Sequence, residues 1–216
     1  MPFLSYESKF SQTVLKLCRC CYLNLLWIIC SIPVFTVGAS TTALYYVTLK
    51  MVREEDDAGV TTLFFRSFRE NFKQATTLWL ILLGAGLLLA GDGYILYHLH
   101  NSASGVPGIL WTLMLALIIV AAIAYVIVLM YVFPLVASVT NTNWAMLKNS
   151  FFIGIHYLFC SILVFAIHLA MFYVVVNLFT PAIIFGQGLC ALLSSYLLNN
   201  VIRVCSYDPT EEENAE

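Results

Sequence analysis

The stretch ILWTLMLALIIVAAIAYVIVLMYVF, residues 109–133, decides the fold class, because its 25 residues contain no charged side chain. A straight helix needs about 20 apolar residues to cross the hydrocarbon core of a bilayer. Backbone groups inside lipid must also satisfy one another's hydrogen bonds, which an α-helix does within a single segment. The stretch therefore predicts a transmembrane α-helix.

The composition of the whole chain indicates the same class. Of the 216 residues, 61% are hydrophobic and 10% are charged, and the mean hydropathy is +0.89. Soluble domains carry about 45–50% apolar and about 25% charged residues, so a soluble fold of this size could not hide so much apolar surface. We therefore exclude a soluble globular protein, a disordered chain and a nucleic-acid-binding protein, and we predict an all-α, polytopic membrane protein.

Six hydrophobic segments follow one another in a single transmembrane domain that covers residues 1–216. They lie at about 22–36, 38–52, 75–97, 109–133, 155–179 and 182–202. Each of the last four is long enough to cross a bilayer. The first two are short, and Pro33 and Gly38 interrupt the chain between them. They form either a hairpin, as two short crossings or a re-entrant loop, or one long kinked helix.

The positions of the basic residues favour the hairpin. Cytoplasmic loops are enriched in Lys and Arg. A hairpin followed by four crossings places all ten basic residues on one side of the membrane, whereas a single kinked crossing leaves three of them outside. We therefore predict a hairpin with both termini in the cytoplasm. We expect no signal-peptide cleavage after residues 37–39, because the chain stays apolar beyond them. The ten residues are Lys9, Lys16, Arg19, Lys50, Arg53, Arg66, Arg69, Lys73, Lys148 and Arg203.

An amphipathic cytoplasmic helix is predicted at about 60–74, and an acidic tail at 206–216. In the helix, four phenylalanines recur at helical spacing on one side, and basic residues cover the other side. This pattern is typical of a helix that lies among lipid headgroups. The alternative is a docking face for a cytoplasmic partner. The residues of this face are Phe64, Phe65, Phe68, Phe72, Arg66, Arg69 and Lys73.

Two titratable residues inside the long segments are candidates for an intramembrane polar site. Asp92 is the only acidic residue in those segments. At about 1.5 Å per residue it lies about 27 Å along its helix, near the outer interface. His168 lies deeper in its own segment. Such residues can form a gate, a proton site or a substrate contact. The alternatives are a hydrated interfacial carboxylate for Asp92 and a helix–helix hydrogen bond for His168.

Two blocks of the sequence resemble the YesL family, which consists of small bacterial membrane proteins of unknown biochemical function. The blocks are NLLWIICSIPVFTVGASTTALYYVTLKMVR, residues 24–53, and RSFRENFKQATTLWLI, residues 66–81. Family members are encoded beside functions in carbohydrate uptake and polysaccharide degradation. The resemblance therefore implies an accessory role in sugar uptake at the bacterial plasma membrane, with sugar ABC transporter components as partners. It assigns no catalytic residues.

No catalytic or cofactor motif accompanies these features. The sequence contains no G-x-x-x-x-G-K-[ST], H-E-x-x-H or G-x-S-x-G motif. The cysteines of CRCC, residues 18–21, lack the paired C-x-x-C spacing of a zinc site. We expect no cofactor and no metal, and we predict a non-catalytic accessory or assembly component. A small oligomeric transporter or channel is the alternative, and an intramembrane enzyme is less favoured.

Overall fold

The chain is an all-helical, polytopic membrane protein, as predicted. The computed structural model describes residues 9–101 and 108–206, so most of the predicted acidic tail lies outside the described residues. Five of the described helices are long and apolar enough to cross a membrane. In chain order the main helices are α1 (Lys9–Ser31), α2 (Val37–Arg53), α3 (Val60–Asn101), α4 (Gly108–Val136), α5 (Asn143–His156), α6 (Leu158–Tyr173) and α7 (Ile183–Ser206).

The first two helices form the predicted hairpin rather than one kinked helix. The chain leaves α1 at Ser31, makes a short 3₁₀ turn over Val34–Thr36 and enters α2. The Trp27 indole N–H donates to Thr41 Oγ1 over 3.1 Å, and Lys16 lies 3.9 Å from the Glu54 carboxylate just beyond the end of α2. The first contact pairs the end of α1 with the start of α2, and the second pairs the first half of α1 with the end of α2, so the two helices are antiparallel.

Helix α2 lies at the centre of the bundle. Its 17 residues are too few for a comfortable crossing, and 12 of them are buried against other parts of the protein. Small side chains at its start allow close approach to α3. A Cβ on Gly38 would lie 2.6 Å from the Trp79 Cβ and would also overlap the Ala75 carbonyl oxygen. The sequence GASTTA, residues 38–43, therefore acts as a small-residue packing face, as transmembrane helices commonly use.

Residues 60–74 are helical, as predicted, but they do not form a separate helix. Helix α3 runs without a break through 42 residues, about 63 Å at 1.5 Å per residue. Residues 60–74 are its first third, and they pack along α2. The evidence is Phe64, whose side chain is fully buried in the common core. The amphipathic pattern that predicted an interface helix therefore reflects burial inside the protein.

The predicted segment at 155–179 also differs from the structure. Its first residues belong to α5, and the helix is interrupted at Tyr157, whose backbone angles are φ −103° and ψ 48°. After α6 the chain forms a π-helical turn over Val174–Leu178 and a 3₁₀ turn over Thr180–Ala182 before α7 begins. Hydropathy did not reveal these interruptions because most residues around them are apolar or aromatic.

Candidate functional site

The most extensive buried polar arrangement joins α1 and α2 to α7, and we call it the polar joint. It consists of side-chain hydrogen bonds between helices that are far apart in the sequence. Polar groups inside a helical membrane protein are costly unless they are paired, so such contacts identify which helices must stay together. The side chains of the polar joint are Asn24, Thr48, Arg53, Ser195 and Asn199.

Asn24 makes the central contact of the polar joint. It is fully buried, and its Nδ2 donates to the carbonyl oxygens of Ile183 and Ile184 over 2.9 and 2.6 Å. Its Oδ1 accepts from the Gly188 backbone N–H over 2.9 Å. In a regular helix the Gly188 N–H would donate to the Ile184 carbonyl. One amide side chain of α1 therefore bridges two backbone groups of α7 that are normally hydrogen-bond partners.

Gly188 is the residue that allows this approach. A Cβ at position 188 would lie 2.5 Å from the Cys20 carbonyl oxygen and 3.2 Å from the Asn24 Cβ. Real Cβ atoms do not come that close to a backbone oxygen, so any side chain here would push α1 and α7 apart. Asn24 and Gly188 therefore form one packing unit.

Two further contacts continue the polar joint toward the end of α2. The Thr48 and Ser195 hydroxyl oxygens lie 2.7 Å apart, and both residues are fully buried. The Arg53 Nε–H donates to Asn199 Oδ1 over 2.7 Å. Together with Asn24 they fasten α7 to the α1–α2 hairpin over several turns. This arrangement supplies rigidity, because each of these groups is already engaged by another protein group.

The acidic turn after α2 is held by basic residues of both hairpin helices. Asp56 pairs with Arg19, and Glu55 accepts a 2.7 Å hydrogen bond from Lys50. That hydrogen bond lowers the pKa of the Glu55 carboxyl. Because the folded state favours the ionised form, the contribution is present above the ordinary carboxyl pKa and is lost as the pH falls below it. The contribution is small, since the pair is exposed to solvent.

Asp92 and His168, the predicted intramembrane pair, line different parts of the molecule. The exposed Asp92 borders a groove of about 270 Å³ between the end of α3 and the start of α4. His168 is half-buried, and its Nδ1 lies 2.9 Å from the Val164 carbonyl oxygen of its own helix. The carbonyl can only accept, so Nδ1 carries the proton. The predicted helix–helix bond from His168 is therefore replaced by a bond within α6.

This geometry gives a prediction for His168. Because its hydrogen bond stays inside α6, His168→Gln and His168→Leu should both change the free energy of unfolding by less than about 0.5 kcal/mol. Thermal unfolding in detergent measures this. If either variant lowers the free energy of unfolding by more than about 1 kcal/mol, His168 makes a packing contact beyond the bond within α6.

The predicted aromatic and basic face at 64–73 is divided between the core and the surface. Phe64 is buried, and its ring stacks on that of Phe68 with 6.3 Å between the centroids. Phe68 and Phe72 pack against the core, whereas Phe65 stays exposed. The phenylalanines are therefore mainly packing residues. The basic members stay exposed on the surface of α3: Arg66, Arg69 and Lys73.

No group of three or more His, Cys, Asp or Glu side chains within residues 9–101 and 108–206 could hold a metal ion. The described cysteines are free thiols, several of them beside apolar side chains.

Comparison with known proteins places this chain beside uncharacterised bacterial relatives. Residues 20–92 match a family model described as a protein of unknown function, DUF624. The chain is 27% identical to the uncharacterized protein YesL of Bacillus subtilis over 139 residues, which are 63% of this chain and 62% of YesL. It is 25% identical to the uncharacterized protein YteU of the same organism over 163 residues, 74% of this chain and 70% of YteU. No solved structure matches the chain at a significant level.

The matched region contains part of the structure described above. It includes most of α1, all of α2 and the part of α3 up to Asp92, and so it holds both Asn24 and Gly38. The match to YesL spans less than two thirds of the length of that relative. The chain is thus similar to the YesL family of uncharacterised membrane proteins, and the resemblance predicted from its two sequence blocks is confirmed.

Proposed function

We propose that the protein is a non-catalytic accessory or assembly component associated with carbohydrate uptake in the bacterial plasma membrane. The observation that supports this most is how its buried polar groups are used. In the polar joint, Asn24, Thr48 and Ser195 are all engaged in holding helices together. A catalytic site needs two or more polar groups that converge on a space for substrate. The hydrogen bonds of the polar joint instead hold helices together, as expected of a non-catalytic component.

A groove between α4 and α6 supplies a surface for a membrane partner. Its volume is about 260 Å³. Its one polar lining residue, Ser161, already donates to the Gly154 carbonyl over 2.7 Å and lies 2.8 Å from the Tyr131 hydroxyl. The groove offers no free hydrogen-bonding group to a sugar. Its apolar lining would instead accept side chains from an apolar helix of a permease subunit. The groove is lined by Ala122, Ile123, Val126, Ile127, Met130, Leu158, Ser161, Ile162 and Phe165.

Affinity capture of the tagged protein from native membranes in mild detergent tests this proposal. We expect the ATPase and permease subunits of a sugar importer to co-purify with it. Ile123→Trp fills the groove and should reduce the captured subunits about tenfold, since overpacking costs about 1–3 kcal/mol. Ile119→Trp is the matched control, because Ile119 is on the same helix, similarly exposed, and outside the groove.

Two results would contradict the proposal. One is capture of the folded protein with no importer subunit. The other is equal capture by both tryptophan variants, which would remove the groove from the interface even if an importer is the partner.

A small oligomeric transporter is a second candidate, supported by the interruption between α6 and α7. The π-helical turn over Val174–Leu178 and the 3₁₀ turn over Thr180–Ala182 break the helix inside an apolar region that also carries Asn177. Transporters use such broken helices at substrate and ion sites. Solute flux into liposomes that contain this chain alone would favour this candidate over the accessory role.

A further inference from the structure

The α1–α2 hairpin extends along less than half of α3. The hairpin meets the start of α3 at the middle of α1, where the Tyr22 hydroxyl is 3.0 Å from Thr61 Oγ1. Its tip lies near Trp79, whose indole N–H donates to the Val34 carbonyl over 2.7 Å. Helix α3 continues for 22 residues beyond Trp79, from position 80 to Asn101, or about 33 Å. The hairpin therefore accompanies only the first part of α3.

The charged side chains of α3 mark where the hydrocarbon core can begin. Arg66, Arg69, Glu70 and Lys73 are all exposed on its first third. Exposed charges are not placed against acyl chains, because each costs several kcal/mol there. From position 74 onward α3 is uncharged until Asp92, a stretch long enough to cross the core. The boundary on this side therefore lies just beyond Lys73.

A hydrogen bond between α3 and the loop after α4 gives independent evidence for the same membrane boundary. The polar loop that follows α4 must lie at the membrane surface, because α4 is an uncharged span and the loop carries Asn141. The Gln74 side-chain Nε2 donates to the Asn141 carbonyl over 2.6 Å. The end of the α4 span and the end of the charged part of α3 therefore lie at the same depth along the membrane normal.

We propose that the α1–α2 hairpin does not cross the bilayer, and that its tip enters only the leaflet on the side of the basic residues. The tip is residues 32–35, and it lies about 9 Å beyond Lys73, at the level of Trp79. A crossing would require about 30 Å. The open end of the hairpin then lies on the headgroup side, where the ion pairs of Lys16 and Arg19 with the acidic turn are hydrated.

The exposure of the hairpin matches an apolar tip in lipid. The exposed fraction of the outward apolar side chains is 41% at Val14 and 61% at Ile29 in α1, and 75% at Ile32 in the tip. Val34 and Phe35 follow with 63% and 51%. Water would make so much contiguous apolar surface unfavourable, whereas acyl chains accommodate it.

Depth-dependent fluorescence quenching of the full-length protein in liposomes tests this inference. A fluorescent amino acid is placed at Phe35, at Gly84 as a deep reference about 16 Å beyond Lys73, or at Arg66 as a reference outside the core. Gly84 accepts the substitution because a Cβ there meets nothing within 4 Å. Because the midplane lies about 15 Å from the boundary, spin labels midway along the acyl chains should quench position 35 most, whereas labels at the acyl-chain end should quench position 84 most.

Labelling in intact cells distinguishes the near leaflet from the far one. An impermeant maleimide should modify Tyr97→Cys, whose position is exposed at the far end of α3, and should leave Phe35→Cys at the level of the unsubstituted chain. Labelling of Phe35→Cys from outside would show a full crossing and overturn the proposal. Quenching of position 35 by no lipid label would also overturn it, since the tip would then be covered by protein or water.

Discussion

Gly38→Val should prevent normal assembly of the bundle. The first side-chain carbon would overlap the Ala75 carbonyl oxygen and lie 2.6 Å from the Trp79 Cβ, and both neighbours belong to a packed helix that cannot rotate away. Overpacking of this kind typically costs about 1–3 kcal/mol and more where backbone is involved. We expect a strongly lowered midpoint of thermal unfolding and little monodisperse protein after detergent extraction.

Gly84→Val provides the matched control for Gly38→Val. It makes the same chemical change in a helix of the same bundle, but a Cβ at position 84 meets no atom within 4 Å. Its effect on unfolding should stay within about 0.5 kcal/mol. If the two valine variants behave alike, the close approach of α2 and α3 at Gly38 is not required for the fold.

Asn24→Leu should loosen α7 from the α1–α2 hairpin. The change removes the three hydrogen bonds that the buried Asn24 side chain makes to the backbone of α7. A buried polar group without a partner costs about 1–3 kcal/mol, although helix–helix bonds in membranes often measure less. Thermal unfolding and protease sensitivity of the α6–α7 connection should both report the loss.

Asn177→Leu is the comparison for Asn24→Leu. Asn177 is exposed, and its Nδ2 donates to the Tyr173 carbonyl of the same helical region over 3.3 Å. Its replacement should leave α7 in place and the unfolding midpoint almost unchanged. An equal effect of both leucine variants would mean that the polar joint is not what holds α7.

Uninterrupted apolar segments made the fold class predictable. Residues 109–133 are uncharged over a length that only a transmembrane helix accommodates, and they lie inside α4. The hairpin followed from Pro33 and from the basic residues on both sides of it. The continuity of α3 could not be predicted in this way, because an amphipathic pattern at 60–74 is the same whether the phenylalanines face lipid or a neighbouring helix.

The polar joint was not predicted, for a physical reason. Asn24 contacts a residue 159 positions later in the chain, and nothing local to either residue signals the pairing. The available signal was a lone amide in the apolar run NLLWIIC, which must find a partner once it is buried. For His168 the sequence suggested a hydrogen bond to another helix, and the structure has a bond to the backbone of its own helix. Nothing local to His168 distinguishes these two cases.

Reporter insertions in the full-length chain test the arrangement of the helices most directly. The reporters should indicate a cytoplasmic location after Met51, an external location after Ser104, and a cytoplasmic location after Lys148 and at the C-terminus. This order follows from a hairpin that returns to the side of the basic residues and from the crossings that come after it. An external signal at Met51 would contradict the account, because the first two helices would then form a single crossing instead of a hairpin.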